Sequence, residues 1–167
     1  AFAGLVIGFL LFGVALQYTG GGQFFLNLAF ALLGHVRGGP AKVAIFASGL
    51  MGSMSGSVIT NVLTTGSLSI PAMKRIGFQP HVAGGVEACA STGGVLMPPI
   101  MGATAFIMAI NLEVPYRDIV VAAVIPSVLY FFALFMQIDG YAARNKLEGL
   151  PKIELPTVRQ TLKDGWY

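Results

Sequence analysis

Between Gly52 and Asn61 the chain reads Gly-Ser-Met-Ser-Gly-Ser-Val-Ile-Thr-Asn, a run of hydroxyl and amide side chains inside an uncharged, apolar segment. Ser53, Ser55, Ser57, Thr60 and Asn61 offer hard, neutral oxygens there. A second cluster, Ser91-Thr92-Gly93-Gly94, precedes Met97-Pro98-Pro99 and adds two hydroxyls and the carbonyls of Gly93 and Gly94. Neutral oxygens combined with the negative ends of helix dipoles suit a monovalent cation such as sodium, with no carboxylate required. The alternative is that Ser, Thr and Gly simply let helices approach closely. What favours binding is the repetition of a polar cluster beside a backbone breaker at two places. Glu87, about one turn before Ser91, is the only acid within an apolar run. An ionisable group at membrane depth reads as functional by default. Glu87 could therefore relay protons, or it could be a satisfied structural carboxylate that holds the broken helix together.

Other chemistries fit poorly. Several serines and two histidines raise the question of an intramembrane hydrolase, but no G-x-S-x-G surrounds Ser53, Ser55 or Ser57. Nor does the sequence hold a membrane-embedded Asp pair or H-E-x-x-H. His35 and His81 read as surface residues, and no Cys, His and carboxylate set has zinc spacing. No enzyme, transition metal or organic cofactor is expected. The single cysteine, Cys89, cannot form an internal disulfide and is expected to be a small buried packing residue.

The elements that must position these groups belong to a membrane. Hydrophobic residues make up 55% of the chain and charged ones 10%, with a mean hydropathy of +0.76, against roughly 25% charged in a soluble domain. The net charge of +3 matters less here than where Lys and Arg lie, and nothing supports nucleic-acid binding. The chain opens without a basic stretch or a cleavage motif, so the expectation is an internal segment of a longer polypeptide. The fold class expected is all-α and multi-pass, a helical bundle with a re-entrant hairpin and a discontinuous transmembrane helix.

The hairpin argument rests on length. Lys42 and Lys74 are the nearest charges around the first cluster, with 31 residues between them, whereas two full crossings of a core about 30 Å thick need about 40 helical residues and a turn. A hairpin over 40–75 with its tip near the midplane is the simplest solution. Irregular backbone at that depth must be buried in protein or line a cavity. Around it we expect a helix over 2–17, ended by Thr19-Gly20-Gly21-Gly22, and an interfacial helix over 23–36 with Gln23, Asn27, Ala31 and His35 along one face. Pro40 suits the first turn of the hairpin's first arm. A helix over 81–111 must open somewhere between 92 and 99, where two glycines and two prolines oppose its hydrogen bonding. A last helix over 118–138, with Pro126 as its kink, completes a membrane region of 1–143. Nine of the 17 charged residues fall between Asp139 and Asp164, which marks 144–167 as an aqueous tail or loop. With this layout Arg37, Lys42, Lys74, Arg75, Arg144 and Lys146 share one side, as the positive-inside tendency requires.

Three blocks, RGGPAKVA (37–44), GSMSGSVITNVLTTGSLSIPAMKRIG (52–77) and GGVEACASTGGVLMPPIMGATAFIMA (84–109), resemble the large membrane subunit of tripartite ATP-independent periplasmic (TRAP) transporters, especially the type in which small and large permease subunits are fused. The resemblance continues through LPKIELP (150–156). It implies a bacterial or archaeal cytoplasmic-membrane symporter driven by sodium and working by an elevator-type motion. It also implies a periplasmic solute-binding protein as partner, with the remaining permease repeat and the small-subunit region in the same polypeptide. The tip Ser55 to Asn61, with Gly56, and the break Ser91 to Pro99, with Pro98, would then form one sodium site and one wall of a site for a small organic, carboxylate-type solute. Two residues depart from the family pattern: Thr60 stands where a small residue such as Ala is expected, and Val95 where Gln is common. Another elevator-type dicarboxylate or anion carrier, and a non-transporting assembly subunit, remain the competing readings.

Overall fold

The computed structural model describes residues 18–151, 153 and 155–164, with 7, 8, 11 and 15 before them. Most of the helix expected over 2–17 lies outside the described residues. Among those described, the chain is all helix with no strand: α1 Gly21–Leu33, α2 Gly39–Ser55, α3 Val58–Arg75, α4 Pro80–Gly94, α5 Ala103–Asn111, α6 Tyr116–Arg144 and α7 Val158–Asp164.

The hairpin is α2 and α3, turned at Gly56-Ser57. Gly38, in the left-handed region at φ 62°, leads into α2 with Pro40 in its first turn. Gly56, also at φ 62°, ends α2, and its N–H donates to the Gly52 carbonyl. Only a residue without Cβ takes that conformation cheaply. Ser57 then caps α3 by accepting from the Thr60 N–H at 3.4 Å. The arms have 17 and 18 residues, each about 26 Å long at 1.5 Å per residue. They are longer than the charge-free stretch suggests, because helix begins before Lys42 and continues past Met51 to Ser55.

The discontinuous helix is α4 and α5, separated by 95–102. Opening starts at Val95, so Ser91, Thr92, Gly93 and Gly94 stay helical. The intervening segment contains the cis bond Pro98–Pro99 and a left-handed Met101, and it is closed by Gly102 N–H donating to the Val95 carbonyl at 2.8 Å. Helix α4 packs across both hairpin arms, α1 flanks α2, and α5 lies on α6.

With 29 residues, α6 is the one described helix long and apolar enough to cross a membrane alone, and Pro126 is inside it. Val121, Ile125, Leu129, Phe132 and Met136 recur along it every three to four residues and are exposed, the stripe expected of a helix side facing hydrocarbon. At its far end Asp139 pairs with Arg37 and Lys42, while Lys42, buried, also stands 4.8 Å from the Phe135 ring centroid. The start of α2 and the end of α6 are thereby tied together. The segment after Arg144 turns back on the same corner: Gly38 N–H donates to the Leu147 carbonyl at 3.1 Å and Leu150 N–H to the Gly34 carbonyl at 2.9 Å.

Candidate functional site

Helices α2 and α4 touch through glycine. Gly52 in the last turn of α2 and Gly94 at the end of α4 meet so closely that a Cβ on Gly94 would lie 2.6 Å from the Ser48 carbonyl oxygen. Asn61, in the first turn of α3, is fully buried beside this contact. Its Nδ2 donates to the Ser48 carbonyl at 2.8 Å, but Oδ1 is buried without a donor. Buried acceptors normally find one. The C-terminal ends of two helices converge here, each carrying partial negative charge, and beside them a bare amide oxygen adds a further negative potential. The arrangement favours a small cation.

The tip and the break are joined by main chain. Ile100 N–H donates to the Ser53 carbonyl at 3.1 Å, and Gly56 lies against Met101, whose carbonyl oxygen would be 2.5 Å from a Cβ there. Tyr116 donates its hydroxyl to the carbonyls of Ile100 and Pro99 and stacks on Phe106 with ring centroids 4.4 Å apart, which supports the break from the α5–α6 side.

The residues singled out by sequence therefore divide into groups. Ser53 is buried and gives its hydroxyl proton to the Leu50 carbonyl. Ser55 accepts from the Ser57 N–H at 3.5 Å, and Gly56 and Ser57 make the turn. Thr60 is half-buried, with its carbonyl accepting from Thr64. These, with Asn61, gather at the tip. Pro98 belongs to the break facing it. Gly93 and Gly94, by contrast, do not present freed carbonyls of an unwound segment: Leu96 and Met97 N–H groups donate to them at 3.0 and 3.2 Å. Their role is closeness, since a Cβ on Gly93 would lie 2.3 Å from the Tyr130 ring. Thr92 is exposed and bonds the Ala88 carbonyl. Cys89 is exposed rather than buried, because it lies on the outer side of α4, where Tyr130 donates to its carbonyl at 2.9 Å.

Ser91 turns away from the break toward Glu87. That carboxyl is completely buried and ringed by hydroxyls from three helices. Ser48 of α2 donates to Oε1 at 3.0 Å, Thr65 of α3 donates to Oε1, Ser69 of α3 to Oε2, and Ser91 to Oε1 at 3.3 Å. Gly66 leaves room for it, since a Cβ there would come within 3.0 Å of Glu87 Cγ. Sequence reasoning missed Ser48, Thr65 and Ser69. A signal was present, since Asn61, Thr65 and Ser69 follow each other at intervals of four, as do Glu87 and Ser91, and such residues share a helix face.

Comparison with known proteins adds an independent line. The family described as Tripartite ATP-independent periplasmic transporter, DctM component, matches residues 1–167. The C4-dicarboxylate TRAP transporter large permease protein DctM of Pseudomonas aeruginosa is 32% identical across 90% of this chain and 35% of its own length. The protein of the same name from Vibrio cholerae is 30% identical across 98% of this chain and 36% of its own. The sialic acid TRAP transporter permease protein SiaT of Haemophilus influenzae is 29% identical across 95% of this chain and 26% of its own. The chain thus spans between 26% and 36% of the length of these relatives.

Proposed function

Because this chain belongs to the DctM component family of tripartite ATP-independent periplasmic transporters, we propose that it forms one hairpin-and-broken-helix repeat of a sodium-coupled permease that imports a small carboxylate. In this reading the hairpin is re-entrant, the protein resides in the cytoplasmic membrane, and a periplasmic binding protein delivers the solute. The repeat moves as an elevator against a scaffold supplied by the rest of the permease and its small subunit. The carboxylate class follows from the C4-dicarboxylate and sialic acid named for the relatives.

The observation that carries the sodium assignment is the bare Oδ1 of Asn61 at the point where α2 and α4 bring their C-terminal ends together. A neutral amide oxygen and helix-end carbonyls are the donor set of a hard monovalent cation. Asn61, with carbonyls of the last turn of α2, would hold the ion. Sodium there neutralises the converging helix ends and fixes the tip against the break.

The test uses the full-length permease. Sodium, compared with choline at equal ionic strength, should raise its thermal unfolding temperature, and Asn61→Ala should abolish that rise. Equal unfolding temperatures in both salts would overturn the sodium site. In proteoliposomes, uptake of labelled succinate or labelled sialic acid should require both an inward sodium gradient and the binding protein. Uptake with sodium alone would overturn delivery by a binding protein.

A further inference from the structure

We propose that the corner where α1, the start of α2 and the end of α6 meet binds an anionic phospholipid, with the lipid phosphate in a basic cleft and one acyl chain in an apolar groove along α6. The inference rests on the membrane placement given above and is independent of the sodium site.

The groove is a cavity of about 310 Å³ walled by Leu33 of α1, Phe46 and Leu50 of α2, and Val128, Phe132 and Phe135 of α6. No polar side chain lines it. Val128 and Phe132 are exposed at its rim, and Phe132 belongs to the apolar stripe of α6, so the groove opens at the depth of that hydrocarbon-facing side. The cleft follows one turn further along α6. Phe135 lines the groove, and Asp139, four residues or about 6 Å on, holds Arg37 and Lys42. Arg37 is also a wall of a second cavity, of about 570 Å³, which it shares with His35, Lys146, Leu147, Glu148 and Gly149. Two main-chain bonds fix the walls of this cleft, from Gly38 N–H to the Leu147 carbonyl and from Leu150 N–H to the Gly34 carbonyl.

Charge identifies the head that fits. Arg37 bonds Asp139 through Nη2, which leaves other donors of an exposed guanidinium for a phosphate. Neither Lys146 nor His35 enters an ion pair among the described residues. Arg37, Lys42 and Lys146 face only the carboxylates of Asp139 and Glu148, so positive charge is in excess. Basic pockets on the cytoplasmic side of membrane helices take acidic headgroups. An apolar helix from the rest of the permease would fill the groove but leave the charge of the cleft unmatched, whereas a negative head tied to an apolar tail matches the two cavities in series.

The residue chosen at position 146 is a separate sign. Its N–H donates to the Ala143 carbonyl at 3.3 Å, and Leu147 N–H donates to the Ala142 carbonyl at 2.9 Å. This is the Schellman ending of a helix, whose left-handed residue is most often glycine. Here Lys146 holds that conformation, at φ 52°. A side chain kept where its absence would ease the turn is accounted for by what its ammonium does in the cleft.

The experiment measures lipid binding to the full-length permease in detergent by native mass spectrometry, with phosphatidylglycerol and phosphatidylcholine of identical acyl chains as probes. Phosphatidylglycerol should bind about tenfold more tightly, the contribution of one charge-assisted hydrogen bond, and equal affinities would overturn the proposal. Lys146→Gly should lose most of that preference while unfolding at no lower a temperature than wild type, because glycine suits the left-handed turn. Lys146→Gln, which removes the charge and keeps a long side chain, should lose it too. A folded variant of either kind with the preference intact would overturn the basic cleft. Val128→Trp, which fills the groove from its rim, should weaken both lipids, and unchanged affinities would overturn the seat of the acyl chain. Glycerol 3-phosphate should not displace phosphatidylglycerol at equal concentration; displacement would make the cleft a site for free phosphate esters and overturn the lipid. A phosphatidylglycerol preference in a permease that sodium does not stabilise would uphold the lipid site while refuting the sodium site, and sodium stabilisation without the preference would do the reverse.

Discussion

A Cβ built on Gly52 would lie 2.4 Å from the Cα of Gly94, so at this one level the first hairpin arm and the broken helix are in contact main chain to main chain. Everything proposed for the tip depends on that approach. Asn61 can bond the Ser48 carbonyl, and the two helix ends can converge beside its amide, only because neither position carries a methyl group.

Gly94→Ala should therefore destabilise the permease by about 3 kcal/mol, the upper range for overpacking where backbone cannot move aside. Gly84 is a built-in control: it is helical, and a Cβ there meets nothing within 4 Å. Gly84→Ala should stabilise by up to about 1 kcal/mol from helix propensity. Thermal unfolding of the two variants in detergent checks both, and equal melting temperatures would show the crossing is looser than described.

Asn61→Ala removes one hydrogen bond, that to Ser48, worth about 1 kcal/mol, and deletes the acceptor that has no donor. Its unfolding temperature in choline should fall only slightly. In sodium it should be the same as in choline, whereas wild type should differ between the two salts.

Thr65→Val preserves shape but takes a hydroxyl from Glu87 and from the Asn61 carbonyl. A loss of about 1–3 kcal/mol is expected for polar groups left short of partners in a buried cage. Ser67→Ala, two residues away on the exposed face, should change little. Chemical unfolding of the pair separates a structural cage from generic sensitivity of α3.

Asp139 serves two cations of different burial, with Arg37 exposed and Lys42 enclosed. Asp139→Ala leaves Lys42 buried without a counter-charge and should lower thermal stability more than Lys42→Met, which retains the packing on Phe135 without the charge. Arg37→Ala should have the smallest effect, as expected of an exposed pair. Melting temperatures in the reverse order would show that the Lys42 ammonium is solvated.

Much of this architecture can be read from breakers and caps. Pro40 marks the start of the first arm, the Gly56-Ser57 pair marks both the stop and the restart, and Met97-Pro98-Pro99 lies inside the break. Side-chain direction was harder to read. Ser91 and Thr92 look like break residues in sequence, yet helix continues to Gly94 and turns Ser91 into the Glu87 cage. The glycines at 93 and 94 mislead in the same way. They read as flexibility, but they act as space for Tyr130 and for α2. On that ground Gly93→Val is disruptive by clash with the Tyr130 ring rather than by stiffening an open backbone. Ser48, Thr65 and Ser69 stayed hidden because each is an ordinary helical hydroxyl in isolation, and only the tertiary crossing of three helices makes them a set.

The bond from Ile100 N–H to the Ser53 carbonyl and the seating of Gly56 on the Met101 carbonyl use no side chain from the break. The seam does constrain Gly56, since a Cβ there would lie 2.5 Å from the Met101 carbonyl oxygen. Substitution at Ser53 or Ile100 leaves the Ile100 donor and the Ser53 acceptor in place, so tip and break stay joined whichever side chains those two positions carry.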